Sequence, residues 1–288
     1  MKTKRLFWAI SLLLLLTSCG DDATERTEQA RREQQRVDSL ALKVAVMPTL
    51  DCLPLYVAEA EGWFEREGVS VQLHQYTAQM DEDTAVLFHH VEGLATDRER
   101  MKWIAERGVE LREMGQTDLK WQLVTNKNAR IKQLSQLDDK MIAMTRRSAT
   151  DLLAQHAIDS VGLPPERVFR IQINDVGVRL SMLENSIMDA LLLPEPQATQ
   201  ARIQGHPVLM DTEELGLHYG VLAFTEQAAT DTMRQRQIET FLRVYNMARD
   251  SIAHRGYSTY RQLIADRCHV LPEVADSLDK AAKRSQQQ

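Results

Sequence analysis

The side chains able to do recognition chemistry sit in short polar turns. Asp51-Cys52 follows an apolar pentad and precedes a helix start, so Asp51 suits either an acceptor role toward a donor-rich ligand or a turn and cap role. Asp97 closes another apolar segment and is a second candidate ligand contact. Thr145-Arg146-Arg147-Ser148 sets hydroxyls and guanidinium groups beside a helix N-terminus. That combination binds a carboxylate, phosphate or sulfonate; the plainer alternative is a charged surface turn with Ser148 as its cap. Asn174-Asp175 and Glu195 follow later apolar segments and suit an amine ligand or hinge and cap hydrogen bonds. Tyr56, in the first turn of a helix, and Trp121 offer aromatic faces that would stack on a planar ligand or cover an apolar one. Trp63, at the end of an apolar helix face, reads as core.

Catalytic signatures do not assemble. There is no GxGxxG after a strand and no GxxxxGK[ST] phosphate loop. His89 and His90 are adjacent, so they point apart on a helix, and the other histidines are scattered without HExxH or paired Cys/His spacing. Ser148 and Ser181 lack a GxSxG context. The expectation is a binding protein rather than an enzyme, with no metal and no cofactor.

The N-terminal segment reads as processing information. Lys2, Lys4 and Arg5 precede the apolar run Leu6 to Leu16, too short to span a bilayer as a helix but fitting a secretory signal. Leu16-Thr17-Ser18-Cys19 resembles a bacterial lipobox, which makes residues 1–18 a signal peptide and Cys19 the lipidated residue. Residues 19–40 then form the anchor and a polar tether (GDDATERTEQARREQQRVDS), with no apolar stripe to bury. Without residues 1–18 the chain carries 32 basic against 41 acidic side chains, about −9. A chain so acidic and without a clustered basic face is a poor nucleic-acid binder. Cys52 and Cys268 are the remaining cysteines; two independent thiols are the default, with a disulfide as the alternative.

These turns must be positioned by alternating strands and helices. Leu42 to Val46 reads as a strand, PLYVAEAEGWFEREG from Pro54 to Gly68 as a helix, and Val69 to Leu73 as the next strand, a βαβ unit. A helix over 81–90, a strand over 91–96 ending at Asp97, and a helix over 98–107 follow. A second round has strands over 119–125, 140–144, 168–173 and 189–193, with helices over 131–137, 149–160 and 178–185. A last strand over 221–224 precedes a long amphipathic helix over 232–254 and helices near 258–266 and 271–283. In open α/β sheets, ligands sit where the strand ends feed the helices, so two such sheets facing each other would make a cleft.

Four segments, in order, carry a family likeness. Pro54, Tyr56, Ala58, Gly62, Phe64 and Gly68 fit the pattern P-x-Y-x-A-x-x-x-G-x-F-x-x-x-G. EGLATD (92–97), KMIAMTRRSATDLL (140–153) and MDALLLPEPQAT (188–199) follow at the expected places. The chain thus resembles the NitT/TauT and thiamine-precursor-binding (NMT1/THI5-like) branch of ABC-importer binding proteins. The resemblance implies a type II periplasmic-binding-protein-like fold, two α/β lobes with a ligand cleft between them. Lobe 1 would hold 41–117 plus 218–288, and lobe 2 118–217. The implied role is capture of a small solute (a thiamine pyrimidine precursor, a sulfonate or a nitrate-like anion) and its delivery to an ABC permease with a cytoplasmic ATPase. The implied place is the bacterial cell envelope, lipid-anchored on the periplasmic side of a membrane, with a monomeric soluble part. Alternatives are a ligand-sensing or accessory lipoprotein, or an enzyme on the same fold such as a pyrimidine-precursor synthase relative. The cysteine-rich iron motif of those synthases is absent here, and the Arg146-Arg147 pair falls in a loop usually richer in small residues.

Overall fold

The computed structural model describes residues 26–28, 31 and 40–285; the expected signal peptide, Cys19 and most of the tether lie outside the described residues. The chain divides into a unit ending at Ala41 and a body starting at Leu42. In the first unit, Arg26, Thr27, Glu28 and Arg31 are helical and exposed. Among the described residues, no helix is long and apolar enough to cross a membrane.

The body is built on two five-stranded sheets. The first contains β1 (Leu42–Val46), β2 (Val71–Gln75), β3 (Gly93–Asp97), β4 (Leu111–Gln116) and β10 (Gly220–Thr225) in the order β2-β1-β3-β10-β4. The second contains β5 (Trp121–Thr125), β6 (Lys140–Met144), β7 (Val168–Gln172), β8 (Ala190–Pro194) and β9 (Val208–Asp211) in the order β7-β6-β8-β5-β9. In each sheet four strands run the same way and one runs against them: β10 is antiparallel to its neighbours β3 and β4, and β5 to its neighbours β8 and β9. These are the two mixed α/β lobes of a type II periplasmic-binding-protein fold. β3, β5, β8 and β10 are buried on both faces; the burial matches the unbroken apolar runs of β8 (ALLLP) and of Val221 to Phe224 in β10.

Helices fill the connections. In the first sheet's half these are α1 (Leu53–Ala60), α2 (Trp63–Arg66), α3 (Gln79–Leu87) and α4 (Arg98–Ala105). The second sheet's half has α5 (Ala149–Asp159), α6 (Val176–Glu184) and α7 (Gln197–Ile203). After β10 come α8 (Glu226–Thr230), α9 (Thr232–Arg255), α10 (Arg261–Cys268) and α11 (Val274–Ser285). α9 lies against α1, and Phe241 stacks on Phe64 at 5.7 Å while meeting Phe224 edge-on at the same distance. That aromatic trio joins α9, α2 and β10 into one core. α11 lies against α7, so the C-terminal helix touches an element of the second sheet's half.

Several expectations need adjusting. The helix expected from Pro54 to Gly68 is broken at Gly62, whose left-handed backbone (φ 67°) separates α1 from α2. The helix expected over 131–137 is a 3-10 turn, Leu134–Leu137. β4, β9 and α7 have no counterpart among the expected elements. β4 (LREMGQ) is a half-exposed edge strand whose polar residues give no apolar run to read. Trp63 is only partly buried, packed against the core with the Arg66 guanidinium 5.8 Å from its ring.

Candidate functional site

The turns singled out in the sequence lie where the two sheets face each other, and direct bonds cross between the halves. Leu50 N donates to Glu195 O at 2.7 Å, and Gln197 Nε2 donates to Pro48 O at 2.7 Å. Val176 N donates to Thr77 O at 3.2 Å, and Ala78 bridges Asp175. Arg100 Nη1 donates to the carbonyls of Arg146 (2.9 Å) and Arg147 (3.3 Å). Gln172 and Asn174 both donate to the Met80 thioether at 3.0 Å.

The first sheet contributes carboxylates. After β1 the chain makes a 3-10 turn, Leu50–Cys52, continued by α1 with Pro54 in its first turn, where a missing N–H costs nothing. Asp51 is buried there: Oδ2 accepts from Thr117 Oγ1 at 2.8 Å, while Oδ1 has no protein partner. Burial raises its carboxyl, against hydrogen bonds from Thr49 and Thr117. At the end of β3, Asp97 caps α4 through Oδ1, which accepts from Glu99 N and Arg100 N at 3.0 Å each. Its Oδ2 accepts from Gln79 Nε2 at 2.8 Å, and the Ala149 N–H of the opposite half also helps hold its carboxyl down against burial.

Glu82 of α3 is wholly buried, and neither carboxylate oxygen has a protein partner. Desolvation drives its carboxyl well above the usual range, reinforced by the charges of Asp83, Asp51 and Asp97 and opposed by Arg100. Beside it, Asp83 and Arg100 form a buried ion pair, the guanidinium 4.4 Å from the Trp103 ring. Desolvation pushes Asp83 up to about 6 even so.

The second sheet contributes hydroxyls, amides and an indole. Ser148 Oγ accepts from Thr150 N at 3.1 Å and donates to Thr145 O at 2.8 Å, capping α5. Thr145 Oγ1 accepts from Arg179 Nη2 at 2.6 Å. The buried Arg179 also donates to the carbonyls of Ile173 and Leu192, and desolvation lowers its pKa to about 9, still charged at neutral pH. Its guanidinium lies 5.8 Å from the ring of Trp121, whose buried Nε1 has no protein partner. Gln197 spends its amide N–H groups on Pro48 O and Cys268 O, which fixes its orientation and leaves Oε1 unpartnered.

The sequence-derived candidates therefore fall into distinct settings. Asp51 and Trp121 bring unpartnered polar atoms to the buried set, and Asp97 borders it. Thr145 and Ser148 are buried but occupied by cap and Arg179 bonds. Glu195 is occupied by Gln122, Arg202 and Thr199 N, at 2.9, 2.6 and 3.0 Å. Asn174 bonds the Met80 thioether, and Asp175 caps α6 through Val178 N at 2.8 Å. Arg146 extends its exposed side chain to Arg170 O at 3.4 Å and turns only its carbonyl inward. Tyr56 is wholly buried, its hydroxyl donating to Met47 O at 2.7 Å, and the Cys52 thiol beside it is buried and free, as is that of Cys268. Sequence reasoning did not find Gln79, Glu82, Arg100, Arg179 or Gln197. Glu82 sits in the stretch QMDEDTAVL, where three acids in a row read as a solvated face.

The family follows from this sequence and fold together. A family model described as NMT1/THI5 like matches residues 49–255. The chain belongs to that family. No curated protein sequence matches the chain. Among solved structures it is similar to the alkanesulfonate-binding protein SsuA from Xanthomonas axonopodis pv. citri bound to MOPS, at 16% identity and TM-score 0.71, covering 83% of each chain. It is similar to the periplasmic nitrate-binding protein NrtA from Synechocystis PCC 6803, at 11% identity and TM-score 0.69, covering 82% of this chain and 68% of that one. It is also similar to PhnD1 from Prochlorococcus marinus in complex with methylphosphonate, at 12% identity and TM-score 0.54, covering 73% and 83%. Such likenesses fix the NMT1/THI5-like chain's fold. Among the described residues, no group of three or more His, Cys, Asp or Glu side chains is placed to hold a metal ion.

Proposed function

We propose that this NMT1/THI5-like chain is the extracytoplasmic solute-binding component of an ABC importer, holding a small solute between its two lobes and delivering it to the permease. The observation that carries this is the buried polar set at the lobe junction, to which both sheets contribute side-chain atoms that no protein group satisfies. Each such atom costs about 1–3 kcal/mol if left unpaired in the interior, which a bound solute would offset. The relatives named above are binding proteins for sulfonate, nitrate and methylphosphonate, and the family likeness adds thiamine pyrimidine precursors as candidate cargo. Contacts from both lobes favour the closed arrangement, so the protein acts by population shift and not by catalysis.

The lobes in this reading are 41–117 with 218–288, and 118–217, and the body is monomeric. Residues 1–18 serve as signal peptide and Cys19 as the lipid anchor that keeps the protein on the periplasmic side of a membrane. Positive start, apolar core and terminal Thr17-Ser18-Cys19 support this together. Titration calorimetry of the purified chain against thiamine precursors, sulfonates, nitrate and phosphonates tests the proposal. Saturable one-to-one binding of one class, with stimulation of ATP hydrolysis by the permease in liposomes, is the expected result. No heat with any class would remove it.

A further inference from the structure

Met80 joins the two halves through its sulfur. It sits in the first turn of α3, and its thioether accepts from Gln172 Nε2 at the end of β7 and from Asn174 Nδ2 just beyond, each at 3.0 Å. Gln172 Nε2 also donates to Asn174 Oδ1 at 3.2 Å, so the Asn174 oxygen is occupied and its amino group is the end turned to sulfur. Backbone bonds run alongside: Val176 N donates to Thr77 O at 3.2 Å, and Ala78 bridges Asp175. Segments 77–80 and 172–176 thus form a clasp between the halves.

Strand order gives the clasp its place. The chain passes between the sheets at 117–120, from β4 to β5, and at 212–219, from β9 to β10. Those four strands make up one side of their sheets, whereas β2 and β7 are the outer strands of the other side. The clasp follows β2 and β7, away from both crossovers, where a hinged opening separates the sheets most. A thioether is a weak acceptor for two amide N–H groups. What sulfur offers at that place is oxidation to a sulfoxide, which turns a flexible apolar side chain into a polar one and is reversed by sulfoxide reductases.

We propose, resting on the solute-binding reading, that Met80 is a reversible oxidation site through which hydrogen peroxide holds the two lobes together. A lone pair of the Met80 sulfur attacks one peroxide oxygen, the O–O bond breaks, an S–O bond forms and water leaves. Sulfur loses two electrons and the peroxide gains them. Met80 is half-buried, so peroxide reaches it from solvent. The new oxygen is a strong acceptor facing two N–H groups already aimed at it. Gln172 is exposed and Asn174 half-buried, so both amides have room to withdraw by the length of the added bond. Water also serves the sulfoxide when the lobes part, so the gain is the modest net worth of two neutral hydrogen bonds. Opening should become about three- to tenfold rarer.

The test is hydrogen–deuterium exchange on the purified full chain without solute, before and after hydrogen peroxide. Two amides that cross between the halves are read: Val176 in the clasp, and Leu50, which donates to Glu195 O elsewhere in the junction. Peptide mass reports the oxygen added at Met80. The exposed Met233 and Met247 will also oxidise, so Met80→Leu, a volume-conserving exchange, receives the same treatment. Met80→Gln places a strong acceptor there permanently, and unfolding midpoints of both variants serve as folding controls. The expected result is exchange about three- to tenfold slower at both amides once Met80 is oxidised, and restored by sulfoxide reductases for both epimers. Met80→Leu should not respond to peroxide, and Met80→Gln should be slow from the start. Met80 left unoxidised while Met233 and Met247 are oxidised overturns the assignment. So does oxidised Met80 with Leu50 exchange unchanged or faster, because the lobes are then not held. No solute enters this test, so these outcomes leave the solute-binding reading standing; that reading falls only on its own calorimetry.

Discussion

Arg100 of α4 donates Nη1 to the carbonyl oxygen of Arg146, 2.9 Å away in the loop after β6, while its other amino group pairs with Asp83 of α3. One guanidinium thus ties two helices of the first sheet's half to the backbone of the second. The side chain is 1% exposed, so the pair is unscreened by solvent and its loss is costly.

Arg100→Met should therefore destabilise the fold by about 3–5 kcal/mol, because it leaves Asp83 buried without its counter-charge. Adding Asp83→Asn to that variant should recover a large part of the loss. Urea denaturation of the single and double variants checks the coupling. A single-variant loss below about 1 kcal/mol would show that Asp83 has another means of neutralisation.

The pH profile of stability should be inverted relative to most proteins. Burial raises Glu82 well above its ordinary value, raises Asp51 and Asp97, and pushes Asp83 up to about 6. An acid raised on folding binds its proton more tightly in the native state. Its contribution is then full below the unfolded pKa of about 4 and is lost as pH climbs through the folded value. Against this, Asp279 is held low by Ser258 and Tyr257 despite some burial, and its contribution disappears in stronger acid. Without added solute, the melting temperature should fall from pH 5 to pH 7, and Glu82→Gln should flatten that slope. A melting temperature that climbs over the same interval would contradict the burial of these acids.

Gly220 pairs with Asp97 in the β3–β10 ladder and leaves no room for a side chain. A Cβ there would meet the Thr117 hydroxyl and approach Leu119 Cβ to 2.5 Å. Gly220→Ala should cost about 1–3 kcal/mol by overpacking. Because Thr117 is the donor to Asp51, ligand affinity should weaken as well. Unfolding midpoints and calorimetry on one variant report both effects.

Trp121→Phe retains an aromatic face but removes the indole N–H, the one unpartnered donor on the second sheet's side of the junction among the described residues. The dissociation constant for the bound solute should rise about tenfold, the value of one buried hydrogen bond. Unchanged affinity would place the ring outside the recognition surface.

Strands with both faces buried were legible because an apolar run of four or five residues between turn residues is too short for a helix and suits a doubly covered strand. β8 and β10 show this well. β4 was not, since this half-exposed edge strand (LREMGQ) keeps polar residues where water reaches it, and β9 (VLMD) offers only three apolar residues, too short a run to read. At the site, Asp51 and Asp97 were visible from their places after strands. Glu82 was hidden because burial of a carboxylate depends on tertiary neighbours that leave no mark on local pattern. Arg146 illustrates the converse: residue type suggested an anion clamp, yet the Arg147 turn (φ 53°) accompanies a loop that offers carbonyls inward and guanidinium groups outward.

The placement of β10 between β3 and β4 has a consequence for synthesis. β4 pairs only with β10 in that sheet, so the first sheet must wait for residues 220–225 before its last strand has a neighbour. All strands of the second sheet come from residues 121–211. The half made later in the chain is therefore the one that can finish its hydrogen-bonded ladder first, while β4 remains an unmatched edge for over a hundred residues of growth.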